Sequence, residues 1–202
     1  MKKNKKIRLI GIFGGTFNPI HNGHLLIAED VRERLNLDKV LFIPAANPPH
    51  KKNNDLAEAC HRLEMVKLAI RDNPCFSVSD IEIKRGGMSY SIETIKTLKE
   101  IYQKGTELFF IMGADSILEF MAWKEWESLL GLCNFVVAPR PGYEIAEAGS
   151  KPVLTENVVF LKTRMFDTSS TEIRKKIKNK EPIECFVPDA AVKYIRKHKL
   201  YT

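Results

Sequence analysis

Residues 11–24 read GIFGGTFNPIHNGH, and this stretch decides how the beginning of the chain folds. The apolar run over residues 7–13 predicts a strand. Gly14 and Gly15 predict a turn after it, because glycine allows φ > 0 and lets a bulky anion approach the backbone closely. Pro19 resists helix, so the turn cannot simply continue. The stretch therefore predicts a strand, a glycine turn and the start of a helix.

Two histidines lie at the start of the predicted helix. Asn22 is a suitable N-cap for a helix over about residues 23–35, which puts His24 in its first turn and His21 just before the cap. Residues three apart can face the same side, and a helix N-terminus favours negative charge, so a phosphate between the histidines would be well placed. The region has no nearby cysteine or glutamate to complete a tetrahedral metal set, and neither of the two common phosphate-loop motifs, G-x-x-x-x-G-K-[ST] and G-x-G-x-x-G, is present.

The composition indicates a soluble protein that handles anions. The 202 residues, 44% of them hydrophobic and 28% charged, suffice for one domain with a sizeable core. A net charge of +7 suits small phosphates or nucleic acid. The chain lacks a basic stripe interleaved with aromatics, which disfavours nucleic acid. Four widely spaced cysteines predict reduced thiols and a cytoplasmic location, and no segment has the apolar length that spans a membrane.

Strand and helix patterns alternate along the rest of the chain. Further strand-like runs cover residues 40–43, 76–78, 108–112, 135–138 and 158–161. Short apolar strands separated by helices predict an α/β fold, a Rossmann-like doubly wound parallel sheet with helices on both faces in a single domain. Such sheets bind ligands beyond the carboxyl ends of the strands, where chain order reverses. We assign residues 1–202 to one domain with a basic tail over 1–6, a surface loop over 139–157 and a C-terminal helical segment over 180–202 packed on it.

A second helix start is predicted near the C-terminus, at Ser169-Ser170-Thr171-Glu172-Ile173-Arg174. Ser169 and Glu172 form a capping box. The same helix start carries hydroxyl groups, with Arg174 one turn further on, and is therefore also a suitable cradle for a phosphate. The two interpretations are compatible.

Four further side chains follow predicted strands. Lys51 ends the rigid turn PPHK, for which a solvated loop is the simpler interpretation. Asp115 either caps the next helix or accepts hydrogen bonds from ribose hydroxyls. Arg140, between two prolines, is a suitable phosphate ligand. Trp123 belongs either to the core or to a site where it stacks on a planar ring.

These motifs together resemble the nucleotidyltransferase superfamily that carries a (T/H)-x-G-H signature, here His21-Asn22-Gly23-His24. The helix start at residues 169–174 resembles the second signature of that superfamily. Within it, the chain is similar to the bacterial nicotinate mononucleotide adenylyltransferases. The supporting strings span nearly the full length and are GGTFNPIHNGH, PPHK at 48–51, SYSIET at 89–94, GAD at 113–115, Trp123 and RPG at 140–142. Two mild departures are Asn18, where the family often has Asp, and Ser91, where Thr is common.

The resemblance implies a reaction in NAD biosynthesis. ATP and nicotinate mononucleotide would give nicotinic acid adenine dinucleotide and pyrophosphate, with Mg²⁺ on the ATP phosphates and no metal ligand from protein side chains. A phosphate monoester is already a nucleophile at neutral pH, because its second pKa is about 6, so no general base is required. The protein would have to align two polyanions and neutralise charge in the transition state.

The resemblance also implies roles for individual residues. The expected catalytic residues are His21, His24 and Arg174. The expected ATP-binding residues are Gly14, Gly15, Thr16, Phe17, His21, His24, Gly113, Asp115, Ser169, Ser170 and Arg174. The expected mononucleotide-binding residues are Lys51, Ser91, Trp123 and Arg140.

Three alternatives stay open at this point. A pantetheine-phosphate adenylyltransferase is usually shorter and would not need SYSIET, Trp123 or RPG. An enzyme that prefers the amide mononucleotide over the acid is the second alternative. The choice depends on the donors that face the carboxylate of the acid, since such donors favour the acid. A nucleotide-sensing or RNA-binding module without turnover would not need His21, His24 and Arg174 together. The sequence also leaves the oligomeric state open, a homodimer included.

Overall fold

A computed structural model describes residues 9–49, 55–102, 105–138, 157–161 and 168–202 of the chain. Its centre is a sheet of six parallel strands in the order β3-β2-β1-β4-β5-β6. The strands are β1 (Leu9–Gly15), β2 (Lys39–Pro44), β3 (Phe76–Val78), β4 (Glu107–Gly113), β5 (Asn134–Ala138) and β6 (Val158–Phe160). All six predicted strands are therefore confirmed.

Helices connect the strands, because parallel neighbours can be joined only by a crossover. The helices are α1 (Asn22–Arg34), α2 (Ala59–Ile70), α3 (Ile81–Arg85), α4 (Ser91–Ile101), α5 (Ala114–Leu118), α6 (Trp126–Leu132), α7 (Ser170–Lys178) and α8 (Asp189–Lys197), with a 3-10 turn at Phe120–Ala122. None of the helices in the described ranges is long and apolar enough to cross a membrane.

Side chains that alternate along the central strands build two cores, one on each face of the sheet. Phe13 of β1 belongs to a cluster with buried residues of α1, α2, α7 and α8. Ile10 and Ile12 of the same strand belong to the other cluster, with buried residues of α4, α5 and α6. Because successive strand residues point to opposite faces, these two clusters confirm the predicted doubly wound arrangement.

The C-terminal part of the chain contributes to the first of these cores. Ile183, Val187 and Ile195 are buried in the cluster that also holds Met65 and Val66 of α2. The predicted tail over residues 1–6 and all but the last residue of the predicted loop over 139–157 lie outside the described residues.

Chain order reverses at β1, which lies between β2 and β4. The pairing of β1 with β2 continues to Gly15 opposite Pro44, whereas its pairing with β4 ends at Phe13 opposite Ile111. The last two residues of β1 therefore separate from β4. Open α/β sheets bind their ligands in the crevice outside the carboxyl ends of the strands, at such a reversal of chain order.

Candidate active site

The end of β1 differs from the predicted glycine turn. Gly14 and Gly15 continue the strand, and neither has a positive φ, so that part of the prediction is wrong. The positive φ, of 49°, is at Phe17. A Cβ on Gly15 would lie 3.1 Å from the Phe17 ring, closer than ordinary van der Waals contact, so a larger residue would displace the ring slightly. Phe17 is only 2% exposed and its ring belongs to the core, so its contact with ATP stays a prediction.

His21 is the N-cap of α1, and Asn22 is the first helical residue, so the prediction that Asn22 caps the helix is wrong. The Asn22 side-chain amide instead donates to the Cys185 carbonyl at 3.1 Å. The rings of His21 and His24 lie on one side, as predicted, with centroids 3.7 Å apart and planes inclined by 33°. Rings in such contact leave no space between their faces. In this arrangement a phosphate would contact the nitrogen edges of the two rings, and the predicted phosphate contact stays a prediction.

The backbone fixes one nitrogen of His24. Its Nδ1 accepts a hydrogen bond of 3.2 Å from the backbone N–H of His21. An accepting ring nitrogen carries no proton, so neutral His24 has its proton on Nε2. The Phe17 ring meets the imidazole edge to face, with centroids 5.1 Å apart. The local fold therefore gives His24 one oriented N–H donor.

The helix start at residues 169–174 is brought against this region, as the resemblance implied. Ser169 caps α7 and forms the predicted capping box with Glu172. The Ser170 hydroxyl donates to the Pro19 carbonyl at 2.9 Å, and Arg174 Nη1 donates to the Asn18 carbonyl at 2.9 Å. These two bonds attach α7 to residues 16–19, which we call the signature turn.

Arg174 retains hydrogen-bonding capacity in this position. The side chain is 7% exposed, and its Nε has no hydrogen-bond partner among the described residues. Nη2 lies 3.4 Å from the Thr171 hydroxyl, a long contact. A buried N–H without an acceptor is costly, by about 1–3 kcal/mol. Arg174 therefore both holds the signature turn and offers a donor that an anion could satisfy.

The side chain of Asn18 also holds the signature turn. Its amide donates to the Asp55 carbonyl at 2.9 Å, and its oxygen accepts from the Ala57 N–H at 3.0 Å and the Tyr201 hydroxyl at 2.8 Å. Burial raises the pKa of the Tyr201 phenol, so its hydroxyl stays protonated and can donate even in alkaline solution. Asn18, at a position where the family often has Asp, thus uses both the NH2 group and the oxygen of its side-chain amide.

The sequence analysis did not single out Arg62, whose buried side chain also holds the signature turn. It is 1% exposed and donates to the carbonyls of Thr16 at 2.8 Å, Ala46 at 3.0 Å and Ala57 at 2.8 Å. Burial lowers the pKa of this guanidinium. Among the described residues it makes no ion pair. The signal in the sequence was an arginine at a core position of α2, one turn before the buried Met65.

On the other side of the crevice, the Asp115 carboxylate folds back over Gly113. A Cβ on Gly113 would lie 2.4 Å from Asp115 Oδ1, so any larger residue there would require the Asp115 carboxylate to move. Gly113 is the N-cap of α5, and the interpretation of Asp115 as the cap is therefore wrong. The carboxylate remains at the end of β4, where a ribose could reach it.

The predicted mononucleotide residues Ser91 and Trp123 lie on neighbouring segments. Ser91 is the first residue of α4, and its hydroxyl has no hydrogen-bond partner among the described residues. Trp123 follows the 3-10 turn and is partly exposed, with ring contacts to Phe110 at 5.8 Å and Phe120 at 5.5 Å. Its inner side packs on the core, and part of the indole stays accessible to a ligand. The other two predicted residues, Lys51 and Arg140, lie outside the described residues.

Ser89 is a further residue that sequence reasoning did not single out. Its hydroxyl accepts from the N–H groups of Ala46 at 2.8 Å and Asn47 at 3.2 Å, and its own N–H donates to the Asn47 carbonyl at 3.0 Å. These bonds join the segment before α4 to the segment after β2. The SYSIET string thus has a structural part, Ser89, beside the predicted ligand Ser91.

Comparison with known proteins identifies the family. A family model described as cytidylyltransferase-like matches residues 12–176, a range that contains both signatures. A "probable nicotinate-nucleotide adenylyltransferase" from Thermoanaerobacter sp. (strain X514) is 47% identical over 202 residues, covering 98% of this chain and 95% of that protein. A protein of the same name from Clostridium novyi (strain NT) is 44% identical, covering 95% and 98%. This chain belongs to the nicotinate-nucleotide adenylyltransferase family.

A solved structure shares the fold of this nicotinate-nucleotide adenylyltransferase family member. Plasmodium falciparum nicotinic acid mononucleotide adenylyltransferase, complexed with NaAD, aligns with a TM-score of 0.77 at 20% identity, covering 96% of this chain and 97% of that one. The predicted family and the predicted Rossmann-like fold are therefore confirmed. The roles assigned to single residues stay predictions.

Proposed function

We propose that this chain transfers the adenylyl group of ATP to nicotinate mononucleotide, giving nicotinic acid adenine dinucleotide and pyrophosphate. One observation carries the proposal. Ser170 and Arg174 donate hydrogen bonds to the carbonyls of Pro19 and Asn18, two and three residues before His21. The two signatures thus lie side by side at the carboxyl edge of the sheet, where the pairing of β1 with β4 ends.

The proposed step is a direct in-line displacement. An oxygen of the mononucleotide phosphate attacks the α-phosphorus of ATP and forms a new P–O bond. The bond from the α-phosphorus to the bridging oxygen breaks, and its electron pair leaves with pyrophosphate. The attacking phosphate is largely a dianion at neutral pH and needs no deprotonation. Catalysis then consists of alignment and charge stabilisation.

The residues of the first signature suit this task. Neutral His24 would donate through Nε2 to an oxygen on the α-phosphate, because its Nδ1 is occupied by the backbone. His21 would contact the same phosphate region through its nitrogen edge. Gly14, Gly15 and Thr16 would contact the phosphates through backbone N–H groups. A donor held in place before the reaction stabilises developing charge without reorganisation.

The second signature would hold the departing phosphates. The α7 N-terminus, with Ser169 and Ser170, favours an anion through its unpaired N–H groups and its dipole. Arg174 would satisfy its buried Nε–H on a β- or γ-phosphate oxygen. Because Arg174 also bonds Asn18, phosphate binding and the shape of the signature turn are linked.

The second substrate would occupy the side of the crevice next to α4. Trp123 would stack on the pyridine ring, and Ser91 with nearby N–H groups would meet its carboxylate. Asp115 would orient a ribose. Lys51 and Arg140 are the proposed ligands of the mononucleotide phosphate.

Mg²⁺ is the proposed cofactor, carried by the ATP phosphates. The side chains proposed to meet the ATP phosphates are imidazole, guanidinium and hydroxyl groups, which suit phosphate better than a hard cation. Mg²⁺ usually keeps several waters and binds through substrate phosphates, which fits a site without its own carboxylate cage. When bound, it would neutralise charge on the phosphate oxygens.

Pyrophosphate release with ATP and one acceptor at a time tests the proposal. We expect turnover with nicotinate mononucleotide, slower turnover with nicotinamide mononucleotide and none with phosphopantetheine, with the dinucleotide identified by chromatography. Faster turnover with the amide would reverse the assigned preference. No pyrophosphate with any acceptor would favour a binding module and refute the proposal.

A further inference from the structure

Charged side chains join the two segments that carry Ser91 and Trp123. Lys124 Nζ lies 2.9 Å from Glu93 Oε1, and Lys96 Nζ lies 2.7 Å from Glu125 Oε2. Each pair connects α4 to the residues directly after Trp123. The two pairs have opposite polarity, because α4 supplies the acid in one and the base in the other.

The contacts extend to the residue that precedes Ser91. Lys124 Nζ lies 4.4 Å from the centroid of the Tyr90 ring, a cation–π distance, and Tyr90 is the N-cap of α4. The hydrogen bond between Lys124 and Glu93 lowers the pKa of the Glu93 carboxyl and raises that of the Lys124 ammonium. The pair is therefore charged across the neutral range.

The backbone at the other end of these contacts has an unusual conformation. Glu125 has φ 52° and ψ 40°, in the left-handed region that a residue with a side chain rarely adopts. Its carboxylate is held there by Lys96. On the α4 side, the buried bond of 2.7 Å from the Thr94 hydroxyl to Glu82 fixes the helix to α3. The ion pairs thus connect a fixed helix to a segment with a constrained turn.

We propose that Glu93, Lys96, Lys124 and Glu125, which we call the α4 clasp, are positioning residues that set the spacing between Ser91 and Trp123. The inference rests on the proposed function, in which these two residues bind the mononucleotide. Exposed ion pairs contribute little to global stability. Because the α4 clasp flanks the proposed ring-binding residues, its effect is local and concerns the mononucleotide rather than ATP.

Four variants test the α4 clasp. Three are the single changes Lys124→Met, Lys96→Glu and Glu125→Lys. The fourth is the double variant Lys96→Glu with Glu125→Lys, in which the two charges of this pair are exchanged. Lys67→Met is the matched control, because Lys67 lies 3.3 Å from Glu64 on α2 and is similarly exposed, 49% against 45% for Lys124. The measurements are KM for each substrate, kcat, the melting temperature and the dissociation constant of nicotinate mononucleotide from tryptophan fluorescence.

We expect each single variant of the α4 clasp to raise KM and the dissociation constant for the mononucleotide about three- to tenfold. KM for ATP, kcat and the melting temperature should match Lys67→Met. The exchanged pair should return to within about twofold of the natural protein. The inference would be overturned if the single variants raised KM equally for both substrates, or if they changed KM no more than Lys67→Met does. It would also be overturned if the exchanged pair did not restore KM for the mononucleotide.

The natural protein separates this inference from the proposed function. If it releases no pyrophosphate but binds the mononucleotide, the proposed function fails and the fluorescence titration still tests the α4 clasp. If it neither turns over nor binds the mononucleotide, both fail. If it turns over and the variants behave like the control, only the α4 clasp fails.

Discussion

Replacing Arg62 with methionine should destabilise the protein strongly. The change removes the donors to three carbonyls, on Thr16, Ala46 and Ala57, in a side chain that is 1% exposed. At about 1.5 kcal/mol for each bond from a charged donor, the loss is about 4.5 kcal/mol. Relief of the buried cation, whose cost is seen in the lowered pKa of Arg62, offsets part of this. We expect the free energy of unfolding to fall by about 3 kcal/mol, a large part of the 5–15 kcal/mol typical of a domain.

Urea denaturation followed by circular dichroism measures this loss. Arg71→Met is the control, because Arg71 lies at the end of the same helix, is 60% exposed, and should change stability by less than about 0.5 kcal/mol. Arg62→Lys keeps the charge but not the three-way geometry, so we expect an intermediate loss together with a raised KM for ATP. A loss below about 1 kcal/mol in Arg62→Met would show that the three carbonyls find other partners, and the assigned role of Arg62 would be wrong.

Four further predictions concern single side chains. His24→Ala should lower kcat by at least about a hundredfold, the cost of one transition-state donor, and near-normal turnover would exclude a catalytic role. Trp123→Ala should mainly raise KM for the mononucleotide, and an unchanged KM would make Trp123 a core residue only. Tyr201→Phe should lower the free energy of unfolding by about 1 kcal/mol through loss of its bond to Asn18, with urea denaturation as the measurement and an unchanged midpoint as the contrary result. Burial raises the pKa of the Cys133 thiol to about 12. A thiol reagent at pH 8 should therefore label the exposed Cys60 and Cys185 first and Cys133 only on unfolding. Rapid labelling of Cys133 in the folded protein would contradict its burial.

The sheet could be predicted because each strand is a short apolar run between helical patterns. Buried parallel strands are apolar on both faces, and this leaves a strong signal in the sequence. The reversal of chain order at β1 follows from the fold class. The ends of the elements were harder to predict. Asn22 is a residue type that often caps helices, and only the structure shows that His21 is the N-cap of α1.

The site was predicted where one short motif carries the chemistry. His21 and His24 are three residues apart, so the helix repeat alone puts them together. The bonds of Arg62 to the carbonyls of Thr16, Ala46 and Ala57 could not be predicted, because the carbonyl of any residue type can accept them. Stacking of the two imidazoles depends on side-chain rotamers, which residue spacing does not specify.

The signature turn also affects how the native state is reached. Its bonds from Arg174 and Tyr201 connect residues 156 and 183 positions apart in the chain. Bringing such distant segments together costs chain entropy and raises contact order, which slows folding. The turn is complete only when the two halves of the chain have docked. The fraction of the protein that binds ATP would therefore report on the fully folded population. Bound nucleotide would in turn stabilise that population by mass action.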